Sequence, residues 1–163
     1  MNEHVVFVGI GSNIEPESNI SQALKRLSFV TTVEGLSTFY RTAALMHPEL
    51  PPFLNGVIRV RTGLEPRRFK SDVLRAIETA LGRTRGEDAY VSRTIDLDIL
   101  LFDSEIIDEA GLRIPDPDIR ERPFVAIPLL ELVPELILPD TGEEVRELPC
   151  AQRTEGMKPA FEF

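Results

Sequence analysis

The segment Arg93-Thr94-Ile95-Asp96-Leu97-Asp98-Ile99-Leu100-Leu101-Phe102 decides the fold of this 163-residue chain. Its second half is apolar and rich in β-forming residues, which predicts a buried strand. Asp96 and Asp98 stand two residues apart, so they project from one face with Cα atoms roughly 6–7 Å apart. The intervening residues then point the other way, into a core: Ile95, Leu97 and Ile99.

The carboxylates of Asp96 and Asp98 lie close enough to require a positively charged partner. Two unpaired carboxylates on a half-buried strand repel each other and are costly to desolvate. A divalent cation removes that conflict, and Mg²⁺ is typically bound by one or two carboxylates together with water and substrate phosphates. On the pattern alone, a solvent-facing strand end that carries two aspartates by chance is an equally good interpretation. Arg93 and the arginines on either side favour a metal–phosphate site.

Length and composition limit the class of protein. The chain suits a single domain over residues 1–163, with a core at about 5–140 and a tail at 141–163. A net charge of -9 argues against a broad nucleic-acid or anionic-membrane binder. Cys150 is the single cysteine, so no internal disulfide forms. Without a signal-peptide pattern or an apolar run near the ~20 residues of a membrane span, we expect a cytoplasmic protein.

Hydrophobic patterns along the chain alternate between strand and helix. Strands are predicted at 5–10, 31–42, 53–62 and 93–102, helices at 16–27, 65–82 and 124–132, and a hairpin at 104–113. This β-α-β-β-α-β order is the split βαβ arrangement of an α+β domain, with a mainly antiparallel sheet and helices on one face. We expect the other sheet face to be free for a site between the loops 43–52 and 83–92.

Arginines and aromatic residues fall near this presumed site. The arginines are Arg83, Arg85, Arg93, Arg120 and Arg122, and a guanidinium fork suits phosphate oxygens. The alternative is a solvated network with neighbouring acidic residues. Phe53 and Phe124 either stack a planar ring or belong to the core, and the residues alone favour the core. Gly9-x-Gly11 is too short to count as a phosphate-binding loop.

Six motifs then fall in order at characteristic spacing: Gly11-Ser12-Asn13, Phe39-Tyr40-Arg41-Thr42, Phe53-Leu54-Asn55, Gly82-Arg83-x-Arg85, Arg93 to Leu100, and Arg122-x-Phe124. With them the chain closely resembles the 6-hydroxymethyl-7,8-dihydropterin pyrophosphokinase family over about residues 5–140. The resemblance implies a ferredoxin-like α+β sandwich. It also implies a transferase of folate biosynthesis that moves the terminal diphosphate of ATP to the hydroxymethyl group of a dihydropterin and releases AMP.

The resemblance also implies roles for individual residues. Asp96 and Asp98 would hold two Mg²⁺ ions and act in catalysis with Arg83 and Arg93. Contacts to the pterin would come from Thr42, Ala43, Leu45, Phe53, Asn55 and Phe124. Contacts to ATP would come from Arg75, Glu78, Arg83, Arg85, Arg93, Asp116 and Arg122. The expected partners are ATP and the dihydropterin, without nucleic acid or membrane, and the expected state is a monomer or weak dimer.

Two departures from the family pattern keep other interpretations open. Family members often have histidine after the proline that matches Pro115, whereas this chain has Asp116-Pro117, and a carboxylate repels phosphate. Where the family often has Trp followed by Gly-Pro, this chain has Tyr90-Val91-Ser92. The alternative is a pterin- and nucleotide-binding module of the same fold with weakened or lost catalysis. A third interpretation is a structural domain whose aspartate pair is incidental.

Overall fold

The computed structural model describes residues 3–83 and 94–163. Its strands are β1 (His4–Ser12), β2 (Thr32–Leu36), β3 (Phe39–Thr42), β4 (Phe53–Thr62), β5 (Asp96–Phe102), β6 (Ile107–Glu109), β7 (Leu112–Ile114) and β8 (Lys158–Phe161). Its helices are α1 (Pro16–Val30), α2 (Pro66–Arg68), α3 (Ala76–Ala80), α4 (Asp118–Glu121) and α5 (Pro123–Leu132). A π-helical stretch, Phe69–Arg75, joins α2 to α3 without a break. The predicted α+β class is confirmed.

The main sheet has the order β5-β1-β4-β3-β8, and β2 pairs with β4 beside β3. Every one of these pairs is antiparallel, as predicted. The strand expected over 31–42 is divided at Ser37 and Thr38, where the Ser37 hydroxyl accepts a hydrogen bond from the Val57 backbone N–H at 2.8 Å. Because β1 pairs with β5 on one side and with β4 on the other, it lies between the two strands that carry most of the site residues.

One sheet face packs against α1 and the continuous segment α2–α3. The helical spacing of apolar residues explains this layer, since Ile20, Ala23 and Leu27 face the sheet and are fully buried. Ile95, Leu97 and Ile99 join them in the same core, as expected from their alternation with the aspartates. No helix within 3–83 and 94–163 is long and apolar enough to cross a bilayer.

The other sheet face is not left free, which corrects the prediction from sequence. A second core forms there between the sheet, α4, α5 and the C-terminal segment, with Ile119, Leu129, Leu138, Val145 and Cys150 all buried. The sheet contributes two consecutive residues, Leu100 and Leu101, because the β1–β5 register shifts between Phe7 and Val8. Such a bulge breaks the alternation of side chains and bends the strand. The site is therefore a cavity beside this second core.

The C-terminal tail, whose sequence shows no clear periodicity, returns to the sheet. Strand β8 pairs with β3 through Phe39 opposite Phe161 and Arg41 opposite Lys158. Phe163 packs edge-on against Phe39, with ring centroids 4.9 Å apart. The tail thus supports the strand that leads into the loop 43–52.

Candidate active site

A cavity of about 310 Å³ opens on the second sheet face, between β1, β4, β5 and the start of α5. Its lining brings together all the residues that the resemblance places around the pterin: Thr42, Ala43, Leu45, Phe53, Asn55 and Phe124. The same lining includes four residues predicted for metal or ATP, namely Asp96, Asp98, Asp116 and Arg122. Segments far apart in sequence therefore meet around one space.

Two glycines of β1 form the floor of this cavity. Gly11 is paired with Asn55 of β4 on one side and with Asp96 of β5 on the other. Gly9 is likewise paired with Asp98. Without side chains on the central strand, the space between β4 and β5 stays open. Gly9-x-Gly11 therefore forms the cavity floor and not a phosphate-binding loop. Sequence analysis could have predicted this role from the position of both glycines on a strand that pairs with two strands carrying polar residues.

The turn after β1 connects both margins of the cavity. The buried Ser12 hydroxyl donates to the Thr94 carbonyl at 2.5 Å, just before β5 begins. The Asn13 side-chain amide donates to the Pro51 carbonyl at 3.0 Å, at the end of the loop that precedes β4. The Gly-Ser-Asn motif therefore fixes where the two flanking segments meet the sheet.

One end of the cavity combines an amide with two aromatic rings. The Asn55 amide donates to the Thr42 hydroxyl at 2.9 Å, and both groups face the cavity. Phe53 of β4 and Phe124 of α5 are half-buried and line the same space. Rings that border a cavity from two elements can stack a planar ring, and Phe124 also packs against the second core.

The other end centres on Asp96. Arg83 donates from Nη1 to a carboxylate oxygen of Asp96 at 2.6 Å and to Glu78 at 2.6 Å. The Arg83 side chain is only 10% exposed. Burial alone would lower its pKa, but the charges of Asp96 and Glu78 outweigh burial and raise it. Asp96 is therefore held in place from behind by a permanently charged guanidinium.

Glu78 organises the base of this end without lining the cavity. Its carboxylate, 3% exposed, accepts hydrogen bonds from Arg83, from Arg75 at 2.8 Å and from the backbone N–H of Leu97 at 2.8 Å. Arg75 in turn approaches Asp98, with Nη2 4.0 Å from a carboxylate oxygen. Glu78 is predicted to contact ATP, but its carboxylate is buried, and neither Glu78 nor Arg83 is among the described residues that line the cavity.

Three carboxyl groups that line the cavity have raised pKa values: those of Asp98, Asp116 and Asp118. Burial in the recessed site raises the pKa of Asp98 well above its ordinary value, and the charges of Asp96 and Asp116 add to the effect. Burial likewise raises the pKa of Asp116 to about 6, although the Asp118 backbone N–H, 2.8 Å away, opposes it. Asp118 also lines the cavity and was missed as a site residue, although it stands in the Pro-Asp-Pro-Asp turn.

This donor set suits a hard divalent cation. Asp96 and Asp98 present carboxylate oxygens on one face of β5, and mutual repulsion disfavours the charged form of Asp98. A cation bound by oxygen ligands would relieve that repulsion, and Mg²⁺ binds such ligands with substrate phosphates completing its shell. The residues present therefore fit the predicted magnesium.

The remaining predicted arginines are distributed differently. Arg122 lines the cavity, with Nε 3.9 Å from a carboxylate oxygen of Asp118. Arg120 points away and instead pairs with Asp140 and Glu143 at 2.8 Å each, so its expected place in the site is wrong. Arg85, Arg93 and the Tyr90-Val91-Ser92 segment lie outside the described residues.

Comparison with a family model decides the relationship. Residues 7–134 match the model for 7,8-dihydro-6-hydroxymethylpterin-pyrophosphokinase (HPPK). The chain belongs to the HPPK family. The match runs from within β1 to just beyond α5, and it includes every described residue of the cavity lining.

Curated relatives agree with this assignment to the HPPK family. A 2-amino-4-hydroxy-6-hydroxymethyldihydropteridine pyrophosphokinase of Pseudomonas aeruginosa is 38% identical over 156 residues, which cover 94% of this chain and 94% of the relative. A protein of the same name from Synechocystis is 36% identical over 148 residues, covering 89% and 74% respectively. This chain is therefore a transferase of the pyrophosphokinase class.

A solved structure supports the fold. A crystal structure of an HPPK-DHPS protein in complex with substrates aligns with a TM-score of 0.67 over 89% of this chain and 42% of that chain. At 13% identity the likeness concerns the fold alone. It agrees with the HPPK fold that the sheet order and helix placement already show.

Proposed function

We propose that this protein transfers the terminal diphosphate of ATP to the hydroxymethyl group of 6-hydroxymethyl-7,8-dihydropterin, in a Mg²⁺-dependent step of folate biosynthesis that releases AMP. The observation that carries the proposal is one cavity with two chemically different ends. Asn55 and two aromatic rings stand at one end, and the Asp96–Asp98 pair stands at the other. The glycine floor between them leaves room for a substrate that reaches both.

The pterin is assigned to the end that contains Asn55. An amide side chain both donates and accepts, as the edge of a pterin ring requires, and its bond to Thr42 fixes its orientation. Phe53 and Phe124 supply apolar surfaces for the two ring faces. A ring bound there directs its hydroxymethyl group toward the carboxylates on β5.

ATP is assigned to the far side of Asp98. A small concavity there is lined by three cationic residues, Lys70, Arg75 and Arg113, together with Asp98 and Asp116. Guanidinium and ammonium groups bind phosphate oxygens and offset the negative charge of the carboxylates. Because Asp98 borders both spaces, the phosphates and the pterin hydroxyl would meet beside it.

The proposed reaction depends mainly on the positions of the two substrates and on neutralisation of the phosphate charge. Diphosphoryl transfer needs in-line reactants and stabilisation of the charge on the phosphate oxygens more than a nucleophilic side chain. Asp96 and Asp98 would hold magnesium, which when bound neutralises phosphate charge. Arg83 holds Asp96 in position, and Arg75 and Arg122, which line the two concavities, would bind phosphate oxygens.

A second candidate is a binding module of the same fold with weakened catalysis. Asp116 favours it, because a further carboxylate beside Asp98 opposes the binding of a polyphosphate. Calorimetry would identify this case through tight pterin binding without AMP release. The cytoplasmic location, the single-domain organisation and the monomeric or weakly dimeric state stay predictions.

The decisive experiment measures AMP formed from ATP with and without the pterin, in the presence of magnesium. We expect AMP only when the pterin is added, and loss of nearly all turnover in Asp96→Asn and Asp98→Asn. Asp72→Asn is the matched control, since that carboxylate is 47% exposed, pairs with Arg68 and lies outside the cavity and the cationic concavity. No pterin-dependent AMP from the unmodified protein would reject the proposed activity.

A further inference from the structure

A carboxylate outside the cavity ties two of its walls together. Glu131, near the end of α5, accepts a hydrogen bond from the Tyr40 hydroxyl at 2.6 Å and one from the Thr38 backbone N–H at 3.0 Å. The first turn of α5 carries Phe124 and Val125, which line the cavity. One side chain therefore couples the helix that forms one wall to the strand β3 on the other side.

Tyr40 occupies a particular position on β3. Its Cα is paired directly with that of Asn55, so both side chains project from the same sheet face. Two residues further along, Thr42 lies on this face and accepts the hydrogen bond from the Asn55 amide. A displacement of β3 would therefore move Thr42 and turn the amide of Asn55.

The Tyr40–Glu131 bond is strong for a hydroxyl contact. Burial and the adjacent Glu131 carboxylate raise the pKa of Tyr40 to about 12, so the hydroxyl stays protonated and donates throughout the neutral range. A bond to an ionised acceptor is shorter and stronger than a neutral one, as the 2.6 Å distance indicates. Neither residue is among the described residues that line the cavity.

We propose that Tyr40 and Glu131 are positioning residues that set the affinity for the pterin by fixing the α5 wall relative to the β3–β4 wall. The inference rests on the proposed function, because it concerns the same pocket. The inference predicts different effects on the two substrates. The Tyr40–Glu131 hydrogen bond acts on the Asn55 end of the cavity, where the pterin is proposed to bind. The cationic concavity proposed for ATP lies beyond β1, on the β5 side of the sheet.

The test is steady-state kinetics of Tyr40→Phe, Glu131→Ala and the double variant. We expect KM for the pterin to rise about tenfold, with KM for ATP and kcat changed less than about twofold. Because both side chains act through one contact, the double variant should bind the pterin no more weakly than Glu131→Ala alone. Glu131→Gln keeps an acceptor oxygen and should recover part of the affinity.

Glu34→Gln is the matched control. Glu34 is also a carboxylate that accepts two cross-strand hydrogen bonds, from Arg59 and Arg61, but it lies on β2. Its pterin KM should equal that of the unmodified protein. Equal rises in both KM values, additive effects in the double variant, or an unchanged pterin KM would overturn the inference. A wild-type protein without AMP formation would instead reject the proposed function itself.

Discussion

A Cβ atom built on Gly11 would lie 2.7 Å from Oδ1 of Asn55, closer than real Cβ contacts come. The two residues are cross-strand partners on β1 and β4. The clash involves the end of a side chain rather than backbone, so the amide of Asn55 could turn aside without disturbing the sheet. That rotation would break the hydrogen bond to Thr42.

Gly11→Ala should therefore weaken pterin binding while leaving the fold intact. We expect the dissociation constant of the pterin, measured by calorimetry, to rise at least tenfold, with a melting temperature near that of the unmodified protein. Gly63→Ala is the control, because a Cβ there meets nothing within 4 Å. Unchanged pterin affinity in Gly11→Ala would show that the glycine floor is not needed for the pocket.

The buried Glu78 carboxylate should contribute to stability as well as to activity. Glu78→Gln removes a charge that pairs with Arg75 and Arg83, and leaving buried charges without their partner typically costs about 3–5 kcal/mol. We expect a loss of about 2–4 kcal/mol in the free energy of unfolding, measured with urea, since Arg83 keeps Asp96 as a partner. Turnover should fall because Asp96 is less well fixed.

The comparison for this variant is again Glu34→Gln. That carboxylate also pairs with two arginines but on an exposed surface, where ion pairs contribute little to stability. We expect a clearly smaller loss. If both variants lost the same stability, burial of Glu78 would not explain its effect.

The regular part of the fold could be predicted from sequence because its signals are periodic. Alternation placed Leu97 in the core and Asp96 outside it, and helical spacing placed Ile20 on the sheet. The second core escaped prediction, since Leu138 lies outside helices and strands and Val145 begins a single turn of 3-10 helix, so the burial of both depends on tertiary contacts. The bulge at Leu100 could not be predicted either, because one extra residue within a continuous run of apolar residues does not change the sequence pattern.

The candidate site shows the same division. The aspartate pair and the residues expected to contact the pterin were predicted from motifs, and the structure gathers them in one cavity. The supporting contacts were not found. The resemblance named Glu78 only as an ATP contact, and its burial next to two arginines depends on tertiary packing that the sequence does not show. The link between Tyr40 and Glu131 joins residues 91 positions apart and carries no local pattern.

The raised pKa of Asp116 predicts a pH-dependent stability. Burial moves this pKa from 3.8 to about 6 in the folded protein. A carboxyl group with a raised folded pKa contributes stability below its unfolded pKa and loses it as the pH rises through the folded one. In the metal-free protein, Asp116→Asn should therefore be more stable than the unmodified chain at pH 7.5, by about 1–3 kcal/mol.

The difference should shrink as the pH falls from 6 toward 4.5, as followed by urea unfolding with a chelator present. The side-chain amide that Asp116→Asn introduces keeps an oxygen that accepts from the Asp118 backbone N–H, so only the charge is removed. Asp72→Asn, at an exposed carboxylate whose pKa Arg68 and Ser71 lower, should bring no such gain in stability at pH 7.5. A stability gain that is constant with pH would contradict the assignment to the ionised Asp116.

The last prediction concerns the C-terminal strand and the aromatic residues that follow it. Phe163 packs edge-on against Phe39, which is fully buried beside Gly56. Phe163→Ala removes this aromatic pair, worth about 0.5–1.5 kcal/mol beyond the area it buries. We expect a total loss of about 1–3 kcal/mol in the free energy of unfolding.

Phe29→Ala is the matched comparison, because that ring, near the end of α1, is 76% exposed. Its removal should leave the urea midpoint almost unchanged, since it buries little surface. Deletion of residues 158–163 should cost more than Phe163→Ala, because it also removes the β3–β8 hydrogen bonds and uncovers an edge of the sheet. Equal stability of the deletion variant and the full chain would mean that β8 adds nothing to the fold.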